Sequence, residues 1–554
     1  MTSSSGKELW WCKTCNVPLL KDRCEICENI GVKICSDLKP MFEGECKLLE
    51  KETGREMPGL GWEDGLWMRR KIVRLNGKRL MRLSANGKPT VMEEYLPSRW
   101  KTCSTHPVTS EILYRANQST LQELEEQAIA FVEGVVKMHP ERKPVVSFSG
   151  GKDSTAVSYI VRKALQSNEI THIFGNTTIE YPDTIDYIAN FERNHSDIPF
   201  YQASSDHPFL QMCETLGPPS MLNAWCCSVF KASPIAEAVN RADSKGEIIS
   251  FEGIRRRESS RRRNRESTYL NKKIARQLSA YPILDWREIE VWLFILSKDL
   301  RFNEAYEKGF PRVGCMFCPY SSQYNEYLVK TYYSSHYQQW DGFLIRYARA
   351  AGKDDPEEYV SSGAWKRRVG TTEKQNVVTV RKVPCLKNTN AMHFILDKKV
   401  NQEFIERFKP FGKIESFSDE LGKGFLVKDE ATDTPLFVVK VVGDTSLLVK
   451  ESSIDPNWNL GEEFLCVDIL TSRNSRYLLQ AIERQIRKFQ ACVLCGACIG
   501  ICPTNAITIN PHLRVSEDKC CHCRNCLSTR YLRDSCVALH AKQQTRRYRD
   551  GYRI

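Results

Sequence analysis

Twenty-three cysteines and one glycine-rich loop hold most of the chemistry open to this chain of 554 residues. Cys12-x-x-Cys15 and Cys24-x-x-Cys27 form two knuckles whose spacing suits one tetrahedral structural zinc, with an iron–sulfur cluster as the alternative. Cys35 and Cys46 read as bystanders. Cys226-Cys227 pairs in type with Cys315-x-x-Cys318. Adjacent cysteines reach one tetrahedral ion awkwardly, whereas a cubane spreads its irons and accepts neighbours, so a central 4Fe–4S cluster is expected. Zinc and four buried free thiols are the alternatives there. Cys492-x-x-Cys495-x-x-Cys498-x-x-x-Cys502-Pro503 is followed by Cys520-x-x-Cys523-x-x-Cys526 and, further on, Cys536. In paired runs of this kind the fourth cysteine ligates the other cluster. That gives Cys492, Cys495, Cys498 and Cys536 to one cubane, and Cys502, Cys520, Cys523 and Cys526 to the second, with Cys521 spare. Eight thiolates saturate two cubanes and leave no open metal position, so electron transfer is expected, with a purely structural pair as the alternative.

The glycine loop follows a short apolar strand, Pro144-Val145-Val146-Ser147-Phe148, and reads Ser149-Gly150-Gly151-Lys152-Asp153-Ser154-Thr155 before a helix opens at Ala156. Glycines let backbone approach a phosphate, and the loop and helix-start amides point at it. Ser149, Ser154 and Thr155 add hydroxyls, and Lys152 adds charge. The glycines are adjacent and directly precede Lys152, unlike the Gly-x-x-x-x-Gly-Lys loop of common NTPases. The stretch resembles the PP-loop of the ATP pyrophosphatase superfamily. Three later segments are similar to the PAPS-reductase (sulfonucleotide reductase) family: Gly175-Asn176-Thr177-Thr178, Gly253-Ile254-Arg255 with Glu258, Ser259 and Arg261, and Tyr281-Pro282-Ile283-Leu284-Asp285-Trp286. They fall in the family's order over about 140–330.

The resemblance implies Lys152, Asp153, Arg255 and Arg261 as catalytic and anion-binding groups. It implies nucleotide contacts from Ser147, Ser149, Gly150, Gly151, Lys152, Asp153, Ser154, Thr155, Asn176, Thr177, Gly253 and Arg255. The Cys-Cys…Cys-x-x-Cys set resembles the 4Fe–4S site of assimilatory APS reductases. Two departures stand out. Asn176-Thr177-Thr178 replaces the family's Asp-Thr-Gly, and the Glu-Cys-Gly-x-His segment that carries its nucleophilic thiolate is absent. Cys536-Val537-Ala538-Leu539-His540 is a faint echo, and Cys385 is a candidate without a motif.

The positioning elements read as a multidomain α/β chain. Its centre is a parallel-sheet PP-loop domain, joined by small zinc-ribbon, β-rich, α+β and ferredoxin-like units. The expected bounds are 1–36 (zinc ribbon), 37–110 (β-rich), 111–350 (PP-loop with a helical lead-in), 351–375 (polar linker), 376–475 (α+β) and 476–554 (two-cluster ferredoxin-like unit with a basic tail). Asn76-Gly77 between apolar runs predicts a hairpin, as does Gly443-Asp444 between Leu436–Val442 and Leu447–Val449. The spacing of Leu121, Leu124, Ala128, Phe131 and Val135 predicts a helix over 119–138.

Hydrophobic residues at 41% and charged residues at 27% exclude wholesale disorder. No apolar run approaches the roughly 18–20 residues a membrane span needs, and the N-terminus has no leader-like apolar stretch, so a cytoplasmic protein without a membrane partner is expected. In such a compartment close cysteine pairs read as metal sites rather than disulfides. The net charge of +12 and seven arginines between Arg255 and Arg265 suit an anionic ligand or a nucleic acid. Two enzymes fit. One reduces an adenylyl sulfonucleotide, PAPS or APS, with electrons from its own ferredoxin unit and a low-potential donor. The other uses ATP to adenylylate a nucleic acid and insert sulfur, as in DNA phosphorothioation or tRNA thiolation. A non-catalytic nucleotide-binding subunit is a third reading. The expected cofactors are three 4Fe–4S clusters and one zinc ion.

Overall fold

The computed structural model describes residues 8–84, 87–95, 107–242, 247–367, 380–419, 422–442, 463–472, 475–527 and 536–542. The chain forms two compact units: Met1–Ser204 with Arg241–Asn271 and Arg276–Gly342, and Ser205–Asn240 with Lys272–Ala275 and Phe343–Ile554.

In the first unit, strands β1 (Leu9–Cys12), β2 (Val17–Leu19) and β3 (Val32–Cys35) form an antiparallel sheet in the order β2-β1-β3. A five-stranded antiparallel meander follows, from β4 (Lys39–Pro40) through β5 (Leu66–Arg69), β6 (Ile72–Leu75) and β7 (Lys78–Leu83) to β8 (Val91–Glu94). Asn76 and Gly77 join β6 to β7 with φ of 50° and 77°. Two left-handed turn residues match the twist of a tight hairpin, as Asn-Gly predicts.

The central sheet contains β9 (Lys143–Ser147), β10 (Thr171–Asn176), β11 (Phe200–Ser204), β12 (Ile248–Glu252), β13 (Thr268–Leu270) and β14 (Gln277–Ala280), in the order β11-β10-β9-β12-β14-β13. All pairings are parallel except that of the edge strand β13. From β9 the chain first builds outward through β10 and β11, then returns to place β12 on the other side of β9. The carboxyl ends of β9 and β12 therefore flank a switch point, where open α/β sheets bind ligands. The helix Gln118–Met138 buries Leu121, Leu124, Ala128, Val132 and Val135. Phe131 is only half-buried, and Val132 takes the core position.

The ribbon strands are not packed as an isolated module. Leu9, Trp11, Val17 and Leu19 share one apolar core with Leu113, Leu121, Val157 and Trp292. Within the expected linker Pro356–Ser361 and Ala364–Arg367 are helical, with Trp365 buried, and 368–375 lies outside the described residues.

The second unit contains an antiparallel sheet of β15 (Arg381–Pro384), β16 (Ala391–Leu396), β17 (Lys413–Asp419), β18 (Gly422–Lys428), β19 (Pro435–Val442) and β20 (Glu463–Ile469), in the order β15-β16-β20-β19-β18-β17. The helix Ser475–Ala491, which sequence assigns to the ferredoxin-like unit, places Ile482, Ile486 and Phe489 in the core of this sheet beside Phe394, Phe404 and Phe425. The expected Gly443-Asp444 turn and Leu447–Val449 strand lie outside the described residues, as does the basic tail. A short hairpin of β21 (Ile507–Ile509) and β22 (Leu513–Val515) lies between the two cysteine runs. No helix among the described residues is long and apolar enough to cross a membrane.

Asn117 pins the ribbon to this fold. Its buried side chain donates to the Pro18 carbonyl at 3.0 Å and accepts the Leu20 amide at 2.8 Å. Asn117→Ala should cost about 1–3 kcal/mol, because it strands buried backbone groups. A lowered denaturation midpoint of the metal-loaded protein checks this, and an unchanged midpoint would show the contact to be dispensable.

Candidate functional site

β9 ends at Ser147, and the chain turns through Gly150, whose φ of 70° suits glycine, into the helix Lys152–Leu165. The Ser149 amide donates to Ser154 Oγ at 3.2 Å, and the Lys152 amide donates to the Tyr306 hydroxyl at 3.1 Å. Ser154 Oγ and Thr155 Oγ1 donate back to the Gly151 carbonyl at 2.8 and 3.2 Å. Thr155 also pairs with the Tyr187 hydroxyl. These bonds hold the loop shape, and the amides of Gly150, Gly151, Asp153 and Ser154 have no partner among the described residues. A helix start with free amides is an anion site.

Behind the loop lies a buried charge cluster. Arg255, 4% exposed, holds Asp153 Oδ1 through Nε at 2.5 Å. Lys152, 3% exposed, lies 3.3 Å from the other Asp153 oxygen and 3.6 Å from Glu288. Burial opposes each charge. Asp153 nevertheless stays below the usual carboxylate range because Lys152 and Arg255 flank it. Against the same burial, Asp153, Tyr306 and Glu288 hold the Lys152 ammonium above its usual value. Lys152 is thus engaged by carboxylates rather than presented to solvent, and its clearest role is to hold Asp153 and the loop in place. Gly253, at the end of β12, lies against the Asp153 backbone. Arg261 stands apart from this cluster, exposed, with its guanidinium 4.8 Å from the Tyr320 ring centroid. Arg262 is crowded by burial and by Arg312 and Arg265, which pull it down to about 10.

The second loop follows β10. Asn176 Oδ1 accepts the Thr178 amide at 2.9 Å, so this side chain shapes the loop. Thr177 is buried; its hydroxyl donates to Glu180 at 2.7 Å and lies 3.5 Å from Cys315 Sγ. The Met316 amide donates to the Ile179 carbonyl at 2.8 Å, fixing the Cys315–Cys318 turn to this loop. Cys315 and Cys318 belong to the first unit, and Cys226 and Cys227 to the second.

The ribbon cysteines come together. Cys12 and Cys27 sulfurs are 3.5 Å apart, and those of Cys15 and Cys24 are 3.7 Å apart. A tetrahedral site with Zn–S bonds of about 2.3 Å places its sulfurs roughly 3.8 Å from one another. These four residues fit one zinc ion.

In the second unit, a cavity of about 50 Å³ is lined by Cys492, Cys495, Cys498 and Cys536, with Arg407 and Lys488 in its wall. A second, of about 20 Å³, is lined by Cys502, Cys520, Cys521, Cys523 and Cys526. The partition follows the ligand sets expected from sequence, apart from Cys526, which touches both, and Cys521, which shares the second wall. Amides of Leu494, Ala506 and Leu539 donate to the sulfurs of Cys492, Cys502 and Cys536 at 3.2–3.4 Å. Amide donors of this kind hold thiolates for an iron–sulfur cluster and tune it.

Residues 143–321 match the phosphoadenosine phosphosulfate reductase domain, and residues 489–508 match the 4Fe-4S binding domain. The chain carries a PAPS reductase domain. Two uncharacterized proteins of Methanocaldococcus jannaschii are 29% and 31% identical to it over 257 and 256 residues. Each match covers 46% of this chain, and 52% and 59% of the relatives, so the chain spans just over half their length. An adenosine 5′-phosphosulfate reductase of Staphylococcus epidermidis is 24% identical over 181 residues, covering 32% of this chain and 71% of that protein.

Several residues around the PAPS reductase loop carry no sequence signal of their own. Tyr306 comes from a single 3-10 turn with no motif, yet its hydroxyl accepts the Lys152 amide. Glu288 stands two residues after the Tyr281–Trp286 segment, which offered a signal by position alone. Asp37, before β4, accepts the Ile289 and Glu288 amides at 3.0 and 3.3 Å and so anchors the start of the helix that presents Glu288.

Gly253 provides a direct test of this packing. A Cβ there would sit 2.5 Å from the Asp153 carbonyl carbon and 2.7 Å from the Ser154 nitrogen, backbone atoms that cannot swing aside. Gly253→Ala should destabilise the protein by about 1–3 kcal/mol, as overpacking does. Denaturant unfolding reads the loss; an unshifted transition would mean that β12 and the loop are not pressed together.

Proposed function

We propose that this protein is an iron–sulfur enzyme of sulfur metabolism. In this reading its PAPS reductase domain binds an adenylyl sulfonucleotide, and its ferredoxin-like unit delivers the electrons that reduce it. The observation that carries the reading is the meeting of a cluster-type cysteine with a nucleotide loop: Cys315 Sγ lies 3.5 Å from Thr177 Oγ1. The free amides of Gly150, Gly151, Asp153 and Ser154, with the exposed Ser149 hydroxyl, take the sulfate or phosphate. Lys152 and Arg255 hold Asp153 so that these amides converge. Cys226, Cys227, Cys315 and Cys318 are proposed, on spacing and resemblance alone, as ligands of a third cluster. The clusters supply single electrons; two of them, with two protons, convert APS to AMP and sulfite by breaking the bond between sulfur and the phosphate-bridging oxygen.

Contacts within the second unit support a relay. The helix Trp225–Cys227 packs against the helix Val537–Lys542, which directly follows Cys536. His207 Nε2 lies 3.2 Å from the Leu494 carbonyl oxygen, and the Ser233 hydroxyl donates to Gly496 at 2.9 Å, so the Cys492–Cys498 loop is held by the segment that bears the tandem cysteines.

The ATP-dependent sulfurtransferase is the second reading. Arg257, Arg261 and Arg263 are exposed, Tyr320 is 42% exposed, and the nucleophile segment of the reductases is absent. Exposed arginines beside an aromatic ring suit a nucleic-acid backbone and its bases.

Anaerobic protein with a low-potential donor should release sulfite from APS or PAPS. Pyrophosphate release from ATP in the presence of nucleic acid would overturn the reductase in favour of the transferase, and nucleotide binding without turnover would leave a binding subunit. Lys152→Ala should weaken nucleotide binding by about 1.5–3 kcal/mol with iron unchanged, read by calorimetry. Cys318→Ala should lose about a third of the iron if three cubanes are present. Because the helix Ser475–Ala491 fills the α+β core, the relay is tested by Cys495→Ala and Cys523→Ala rather than by deletion from 476. Both should keep nucleotide affinity and lose donor-driven turnover; retained turnover would remove the ferredoxin-like unit from the mechanism.

A further inference from the structure

The two cysteine-lined cavities differ in charge. Arg407, directly after the helix Gln402–Glu406, comes from the α+β part of the second unit, outside either cysteine run. It is 9% exposed, it lines the cavity of Cys492, Cys495, Cys498 and Cys536, and its Nε and Nη2 atoms have no hydrogen-bond partner among the described residues. Lys488 lines the same cavity from the helix Ser475–Ala491, is 3% exposed, and donates to the Cys526 carbonyl at 2.6 Å. Around the second cavity Arg524 is the charged lining residue among the described residues, and it is exposed, as are Cys521 and Cys523.

A buried guanidinium with two nitrogens unpartnered among the described residues is costly unless an acceptor meets it. The sulfurs of Cys492, Cys498 and Cys536 act on this guanidinium, and a cubane held by four thiolates is anionic and gains a further negative charge on reduction. A buried, permanently charged cation favours the reduced form, because little water screens it. An exposed arginine such as Arg524 is screened and contributes far less. Solvent at the second site works in the opposite sense, since water also stabilises added charge. The unscreened cation at close range is the stronger of the two.

We infer that Arg407 is a redox-positioning residue that makes the cluster of Cys492, Cys495, Cys498 and Cys536 the higher-potential member of the pair. Electrons then enter at the exposed cluster of Cys502, Cys520, Cys523 and Cys526 and come to rest on the first, beside the helix that follows Cys536. The inference rests on the assignment of 4Fe–4S clusters to these cysteines, as proposed above, and not on which sulfur compound is turned over.

The test is an EPR-monitored redox titration of the anaerobically reconstituted full chain, with iron measured first. Wild-type protein without iron would defeat the cluster assignment itself, a result distinct from any shift in potential. With iron in place, Arg407→Gln should lower one cluster potential at least tenfold in the reduction equilibrium, about 59 mV for one electron, and leave the others in place. Arg407→Lys, which keeps the charge, should restore most of that shift. Unchanged potentials at full iron, or a Lys variant no better than Gln, would overturn the inference. A further variant leaves Arg407 untouched and so stays informative if Arg407→Gln fails to hold iron. Cys523→Ala removes the second cluster and should leave the higher-potential signal; survival of the lower one would equally overturn it.

Discussion

The PAPS reductase site depends on one buried carboxylate. Asp153 stands at the start of a helix, where the backbone already favours negative charge, and it is clamped between Lys152 and Arg255. Removing Asp153 takes from two buried cations the carboxylate they share, a loss of several kcal/mol in comparable settings. The clamp ties two strand ends together. Lys152 and Asp153 follow β9, and Arg255 follows β12, so the ion pairs close the switch point of the sheet. Gly253 allows this closure, because any side chain there would push the strand ends apart.

The rest of the first unit is organised around keeping that clamp dry and fixed. Glu288 approaches Lys152 from the helix Glu288–Ser297, whose first free amides are taken by Asp37. The Arg287 guanidinium pairs with Glu290 and donates to the Glu8 carbonyl, so the N-terminal segment reaches the same helix from a second direction. A zinc-ribbon fold packed there makes physical sense. Three short strands bury little apolar surface alone, and four cysteines around one ion supply rigidity that the core cannot.

The site was legible in sequence wherever chemistry forces both residue type and spacing. The adjacent glycines before Lys152, the cysteine runs and the ribbon knuckles all point to the groups that the fold gathers. Asn76-Gly77 was equally readable, because only such residues enter a left-handed turn cheaply. What escaped depended on long-range packing. Tyr306 and Asp37 reach the loop and its supporting helix from far along the chain, with no local pattern to mark them. Arg407 sits in an ordinary amphipathic stretch, and only tertiary structure brings it to the cysteines. The helical residues 476–491, expected in the ferredoxin-like unit, serve both sides: Ile482, Ile486 and Phe489 enter the sheet core, while Gln485 and Lys488 line the cysteine cavity. Arg261 carried the right motif, but the chain leaves it in solvent against Tyr320.

The account turns on whether electrons held by the cysteine-bound clusters are consumed at the nucleotide loop. The most direct measurement is a single-turnover experiment: protein reduced anaerobically, freed of excess reductant, then mixed with APS in a stopped-flow instrument. The account predicts that cluster absorbance returns to the oxidised level as sulfite appears, one sulfite for every two electrons lost. Clusters that stay reduced while APS is bound, or that oxidise without forming sulfite, would contradict it.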